Sequence, residues 1–171
     1  MPSGPSKDVA TVIANPVPMS AADRSPPWGN PGAAPPDRVV TVLAVSPFDE
    51  DHIFLTHLFS HSNWRMHQAR SCSEALKLLR QHSIPVVLCE AEMPDQGWKR
   101  ILAELGRLPE SPLLIVTSHL ADDALWAEVL NLGGYDLLMK PFDRLEVLRV
   151  IGLAWLHWKE HRERLMETAA R

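Results

Sequence analysis

Between residues 39 and 139 short apolar runs alternate with segments whose apolar residues recur at helical spacing, and this alternation constrains the fold more than any other feature. Val39 to Val45 is a β-branched run, the pattern of a strand covered on both faces. Asp49 to Ser60 then carries Ile53, Phe54, Leu55, Leu58 and Phe59 at helical intervals, and Trp64 to Ala69 is a short second strand. Ser71 stands three residues before Glu74, a capping box that opens a helix through Ala75, Leu76 and Leu79. Val86 to Cys89 reads as a third strand, Trp98 to Leu108 as a third helix and Leu113 to Val116 as a fourth strand. A helix from about Asp122 to Leu132 stops at Gly133-Gly134, as a glycine C-cap dictates, and Tyr135 to Met139 is the fifth strand. The last helix has a marked start: Asp143 caps, Glu146 reaches back and Phe142 staples onto Val147. It carries Leu145, Leu148, Ile151 and Trp155 on one side and continues to about Glu167. Strands joined through helices and short loops imply a parallel sheet between helical layers, an α/β fold.

Before residue 38 the pattern is absent. Nine of the 15 prolines lie between Pro2 and Pro36, among Ala, Ser and Gly. Proline removes donors and fixes φ, so residues 1–37 are expected to form a disordered, Pro-rich tail, with Pro26-Pro27-Trp28 as its one candidate docking peptide. Residues 38–160 then form the folded domain, and 161–171 extend its last helix. A hydrophobic fraction of 46% suffices for a packed core. The formal net charge of -4 gives no basic field for phosphate backbones, and after Phe142 six basic residues face five acidic ones, so nucleic-acid binding is not expected. Cys72 and Cys89 are too few for a disulfide framework. No apolar run reaches the ~20 residues of a membrane span, and Val9 to Ala14 makes a poor signal peptide. The expectation is a cytoplasmic protein without membrane contact.

In a sheet of this kind, functional groups gather beyond the carboxyl ends of the strands. Ser46-Pro47 follow the first strand, Glu90 ends the third, Thr117 closes the fourth and Lys140-Pro141 closes the fifth. With Met93-Pro94 three residues after Glu90, Ser71-x-x-Glu74-Ala75-Leu76, Ile115-Val116-Thr117, and Gly133-Gly134-x-Asp136 leading to Lys140-Pro141-Phe142, the stretch from Val39 to Trp158 resembles the receiver domain of bacterial two-component response regulators. The resemblance implies a flavodoxin-like, doubly wound five-stranded parallel sheet, (βα)5, with strand order 2-1-3-4-5. It also implies a phosphorelay role, in which an aspartate at the third strand's end takes a phosphoryl group from a histidine kinase. Two acids after the first strand hold Mg²⁺ in that family, a Thr or Ser and a Lys contact the phosphoryl oxygens, and an aromatic on the fifth strand rotates on activation.

Only Thr117 and Lys140 match that set. Ser46 and Pro47 stand at the acid-pair positions, Glu90 at the phosphoacceptor position and Leu137 at the switch position, and the loop after Met93-Pro94 is one residue short before Gly97. Mg²⁺ seeks an octahedron of oxygens drawn by carboxylates. Pro47 offers none and Ser46 only a neutral hydroxyl, so Mg²⁺ binding is expected to be lost, leaving no cofactor and no catalytic residue. Asp49, Glu50 and Asp51 lie in a first helical turn, where the helix dipole already accounts for them. Glu90 is expected to pair with Lys140, either as a fixed charge or as mere scaffold, and Leu137 to be core. The histidine pairs His57/His61 and His157/His161 lack a third ligand, and Cys89 reads as an inert buried thiol. No Gly-x-Ser-x-Gly elbow or glycine-rich phosphate loop is present. In the last helix Val150 and Leu153 read as lying off the sheet-facing strip, and Leu165 and Met166 restore apolar character beyond the charged run Lys159 to Arg164. The reading is a non-enzymatic, stand-alone pseudo-receiver acting by protein contacts through its last helix and neighbouring surface, with a homodimer as one form of partner. The alternatives are a working phosphoacceptor and, less favoured, a DNA-associated transcriptional regulator.

Overall fold

The structure is a computed structural model that describes residues 39–94 and 97–171. The proline-rich tail, Pro26-Pro27-Trp28 and the shortened loop at residues 95–96 lie outside the described residues. The elements are β1 (Thr41–Val45), α1 (Asp49–Phe59), β2 (Arg65–Ala69), α2 (Cys72–Gln81), β3 (Val86–Glu90), α3 (Gly97–Leu105), β4 (Leu113–Ser118), α4 (Asp123–Leu132), β5 (Asp136–Met139) and α5 (Arg144–Ala169). All neighbouring strands pair in parallel, in the order β2-β1-β3-β4-β5. The chain runs outward from β1 to β2 and then returns to β3 on the other side of β1, so the crevice lies at the carboxyl ends of β1 and β3.

The sheet separates two apolar cores. On one face Leu43, Val45, Val87 and Val116 meet Ala75 and Leu76 of α2, Ile101 and Leu105 of α3, and Val129 of α4. On the other, Val42, Ala44, Leu88 and Ile115 meet Leu55 and Leu58 of α1 and Val147, Ile151 and Ala154 of α5. This alternation along each strand follows from the period of two. The helices begin where the caps put them. Ser71 Oγ accepts from the Glu74 N–H at 3.2 Å, Asp122 Oδ1 from that of Leu125 at 2.8 Å and Asp143 Oδ1 from that of Glu146 at 2.8 Å. Glu74 reaches back to the Arg70 N–H, at 2.8 Å. α4 ends at Gly133, whose φ of 101° is the left-handed C-cap conformation.

α5 corrects the expected face in part: Ile151 is fully buried, and Leu148 and Trp155 pack against the core, as expected. Leu145, read as sheet-facing, is 75% exposed, while Val150, read as lying off the sheet, is buried. The buried residues are Val147, Val150, Ile151, Ala154 and Trp158. The stripe at i, i+4, i+7 and i+11 from Val147 is built on Ala154, and that small residue lets the helix axis approach the sheet more closely than the Leu145–Leu148 side would.

Candidate functional site

Four loops meet above the crevice. Ser46 leaves β1, Glu90 ends β3, Thr117 lies opposite Glu90 in the register of β4, and Lys140 follows β5. The first turn of α1 overhangs them. Glu90 is 0% exposed. Its Oε1 accepts from the Glu92 N–H at 3.1 Å; its Oε2 accepts from Lys140 Nζ and, at 3.4 Å, from Thr117 Oγ1. The same ammonium donates to Asp51 Oδ2, which also accepts from Ser46 Oγ at 2.5 Å. Ser46 Oγ in turn accepts from the Phe48 N–H at 3.1 Å. Above the ammonium stand two rings, Phe48 at 5.2 Å and Phe142 at 5.6 Å from Nζ to the centroid, both within cation–π range.

The structure therefore brings Ser46, Glu90, Thr117 and Lys140 into one hydrogen-bonded cluster. Pro47 is adjacent but contributes no side-chain donor or acceptor. Leu137 is only half-buried, not a full core residue; it lies opposite Val116 and packs on the α2–α3–α4 core, because β5 is the edge of the sheet.

Asp51 is the residue that sequence reasoning misplaced. Explaining all three first-turn carboxylates by the helix dipole fits Asp49, which pairs with Arg70 at the surface, but Asp51 turns inward and is buried. A signal was present: Asp51, Leu55 and Leu58 stand at i, i+4 and i+7, so the carboxylate belongs to the buried stripe of α1. His52 was also missed. It is buried, and its Nε2 lies 2.8 Å from the Ser46 carbonyl oxygen, which selects the tautomer protonated at Nε2 and leaves Nδ1 without a partner among the described residues.

Burial pushes the Cys89 thiol far up, helped by the charges of Cys72 and Glu90, so Cys89 stays a protonated thiol beneath the site. Among the histidine pairs, His57 and His61 sit edge to face with centroids 6.3 Å apart, whereas His157 Nδ1 is engaged by the Tyr135 hydroxyl at 2.8 Å. Burial, with the charge of Asp136 next, holds that hydroxyl above the usual tyrosine range. Among the described residues no three His, Cys, Asp or Glu side chains gather as a metal cluster, and no helix is long and apolar enough to cross a membrane.

The family model described as the response regulator receiver domain matches residues 49–151. The chain is similar to the DNA-binding transcriptional regulator NtrC of Proteus hauseri, at 30% identity over 110 residues, 64% of this chain and 21% of the relative. It is also similar to the transcriptional regulatory protein ZraR of Escherichia coli K12, at 33% over 92 residues, 52% of this chain and 21% of the relative. It thus spans about a fifth of the length of these curated relatives. Among solved structures, the signal receiver domain of an HD domain-containing protein from Pseudomonas fluorescens Pf-5 superposes with a TM-score of 0.69 at 28% identity, covering 77% of this chain and 98% of that one. The receiver domain of a LuxO-type repressor from Vibrio parahaemolyticus shares the fold, with a TM-score of 0.68 at 15% identity over 76% of this chain and 98% of that one.

Proposed function

Because the chain belongs to the response regulator receiver domain family, we propose that it serves two-component signalling as a receiver module that works by protein contacts, without accepting a phosphoryl group and without catalysing a reaction. The observation that carries this reading is the state of Glu90. Phosphoryl transfer needs an acceptor oxygen placed in line with the donor and a neutralised charge around it. Glu90 presents no surface to solvent, and both its oxygens accept from internal donors. Two further features agree with it: Leu137 puts no aromatic ring at the switch position, and Glu90 carries one charge where a phosphorylated carboxylate would carry nearly two.

The contact surface in this reading is α5 with its neighbours. Leu145, Leu153 and Leu156 are exposed on one side of it, and Leu165 and Met166 are exposed nearer its end. Beside that start, Ile53 and Phe54 of α1 line a shallow groove with Arg144. A protein partner or a second copy covering this strip would remove apolar area from water. The two curated relatives are named as transcriptional regulators; a transcriptional role for this chain rests on that likeness.

The test is incubation with acetyl phosphate and Mg²⁺ followed by intact mass, alongside partner capture with wild type, Glu90→Gln and Glu90→Asp. The expected result is no mass gain and equal capture by all three. A stable gain of one phosphoryl group would restore the phosphoacceptor reading, and capture that follows the charge at residue 90 would make Glu90 a fixed signal.

A further inference from the structure

Glu50, Ile53, Phe54 and His57 stand at i, i+3, i+4 and i+7 on α1, and with Leu58 beneath them and Arg144 at the start of α5 they line a groove of about 440 Å³. Ile53 is 68% exposed, and the Phe54 ring lies against that of Phe142 with centroids 5.4 Å apart. The lining is thus aliphatic and aromatic, between two charges of opposite sign. We propose that the segment of this same chain around Pro26-Pro27-Trp28 docks in this groove, with the Trp28 ring on Ile53 and Phe54.

Three observations converge. The first is side-chain chemistry. Trp28 is the one aromatic residue before Val39, and two prolines stand directly before it. Proline fixes φ in advance, so such a segment loses little freedom on binding, and proline-rich segments dock in grooves lined by aromatic rings. An indole adds a large, rigid apolar surface with two χ angles to order. The second is charge. Asp23 and Arg24 precede the prolines, and the groove carries Glu50 and Arg144, neither of which has an ion pair among the described residues. The segment brings one charge of each sign to a rim that offers one of each. The third is reach. The described chain starts at Val39, and Val40 packs in the α1–α5 core, so the tail joins the domain at the foot of the layer that carries the groove. The ten residues from Gly29 to Arg38 span roughly 30 Å if extended as proline-rich chains are, which matches a domain whose radius of gyration is roughly 14 Å. A tether of that length holds the segment at an effective concentration on the order of 1 mM, so even a contact with a Kd of about 1 mM is half-formed. In a module that works by contacts through α5, a docked tail closes the α1 end of that surface until a partner displaces it; the docking itself does not depend on that reading.

The test is disulfide trapping in the full chain, whose own Cys72 and Cys89 are buried. Gly29→Cys is combined either with His57→Cys on the groove or with Ala127→Cys on α4, both of them exposed positions, and each pair is oxidised with glutathione disulfide. Trapping within one chain, read by its mobility on a non-reducing gel, is expected to be roughly tenfold faster for the His57 pair, because docking raises the local concentration at one surface only. Adding Trp28→Ala to the His57 pair should lower its rate to that of the Ala127 pair. Equal rates for the two pairs would overturn the proposal, as would a rate that Trp28→Ala leaves unmoved. Trapping between two chains rather than within one would assign the groove to a second copy and overturn it too. Should a paired variant not fold, amide exchange decides: Trp28→Ala alone speeds exchange in α1 and not in α4 if the tail docks there, and changes neither if it does not.

Discussion

Glu90 and Lys140 are unequal partners, and the difference is measurable. Among the described residues, Lys140 is the cation that pairs with two buried carboxylates. Its replacement by Met strands both charges and is expected to cost about 3–5 kcal/mol, as breaking a buried pair does. Glu90→Gln leaves the Asp51–Lys140 pair intact. Its amide oxygen can face Lys140 or the Glu92 N–H, not both, so one hydrogen bond of the cluster is lost at a cost of about 1–3 kcal/mol, while Lys140 keeps Asp51. Urea midpoints of the two variants should fall in that order, and a Glu90→Gln loss equal to that of Lys140→Met would mean that Asp51 contributes nothing to holding the ammonium. Glu90, Thr117 and Lys140 were legible because each stands at the carboxyl end of an apolar run, where the sheet places functional groups. Asp51 was not, since a first-turn carboxylate has a sufficient local explanation in the helix dipole; only its spacing to Leu55 and Leu58 told against it. Phe48 and Phe142 were hidden for a different reason: their meeting over Lys140 depends on how two loops distant in sequence converge.

Among the elements, those with chemical punctuation were the readable ones. α2, α4 and α5 start at Ser71, Asp122 and Asp143, each of which caps as its side chain permits, and α4 stops at Gly133. The two glycines after α4 have different duties. Gly133 needs its φ of 101° and has open space where a Cβ would point, so Gly133→Ala is expected to cost about 1–2 kcal/mol of backbone strain alone. A Cβ on Gly134 would stand 2.5 Å from Val129 Cγ1 and 2.9 Å from the Val129 carbonyl oxygen, and Val129 is itself in the core. Gly134→Ala must push α4 away from β5 and is expected to cost about 1–3 kcal/mol, with loss of the α4 packing. Thermal unfolding of the two variants, with amide exchange across α4, separates the cases: faster exchange in α4 for Gly134→Ala only. The face of α5 was only partly legible because two apolar stripes overlap on it. The expected one through Leu145, Leu148, Ile151 and Trp155 shares Ile151 with the buried one through Val147, Ile151 and Ala154, and only its Leu145 points away from the core. Hydropathy marks both stripes, and packing distance chooses between them.

At the scale of the molecule, parallel strands with alternating inward residues create two cores that share a sheet but no side chain. Their independence decides whether a contact on one face is felt on the other. If the α1–α5 layer and the α2–α3–α4 layer respond separately, a partner on α5 leaves the opposite face unchanged; if the sheet transmits strain, contact on one face alters the other. Ile101 and Ile151 probe this from opposite sides, for both are fully buried, one on α3 and one on α5. Each Ile→Val substitution removes one buried methylene and is expected to cost about 0.5–1.5 kcal/mol. Distant sites without shared partners add to within about 0.5 kcal/mol, so the double variant should lose the sum. The measurement is a double-mutant cycle in urea, with Glu90 and Lys140 intact. A coupling well beyond that margin would show the sheet acting as a stiff plate between the layers. The charge cluster at the carboxyl end of the sheet, which joins Asp51 of α1 to Glu90 of β3 and to Lys140 after β5, would then be the natural place where that stiffness is set. Repeating the cycle in Glu90→Gln tests this last step, since a coupling carried by the cluster should shrink when one of its two carboxylates is neutralised.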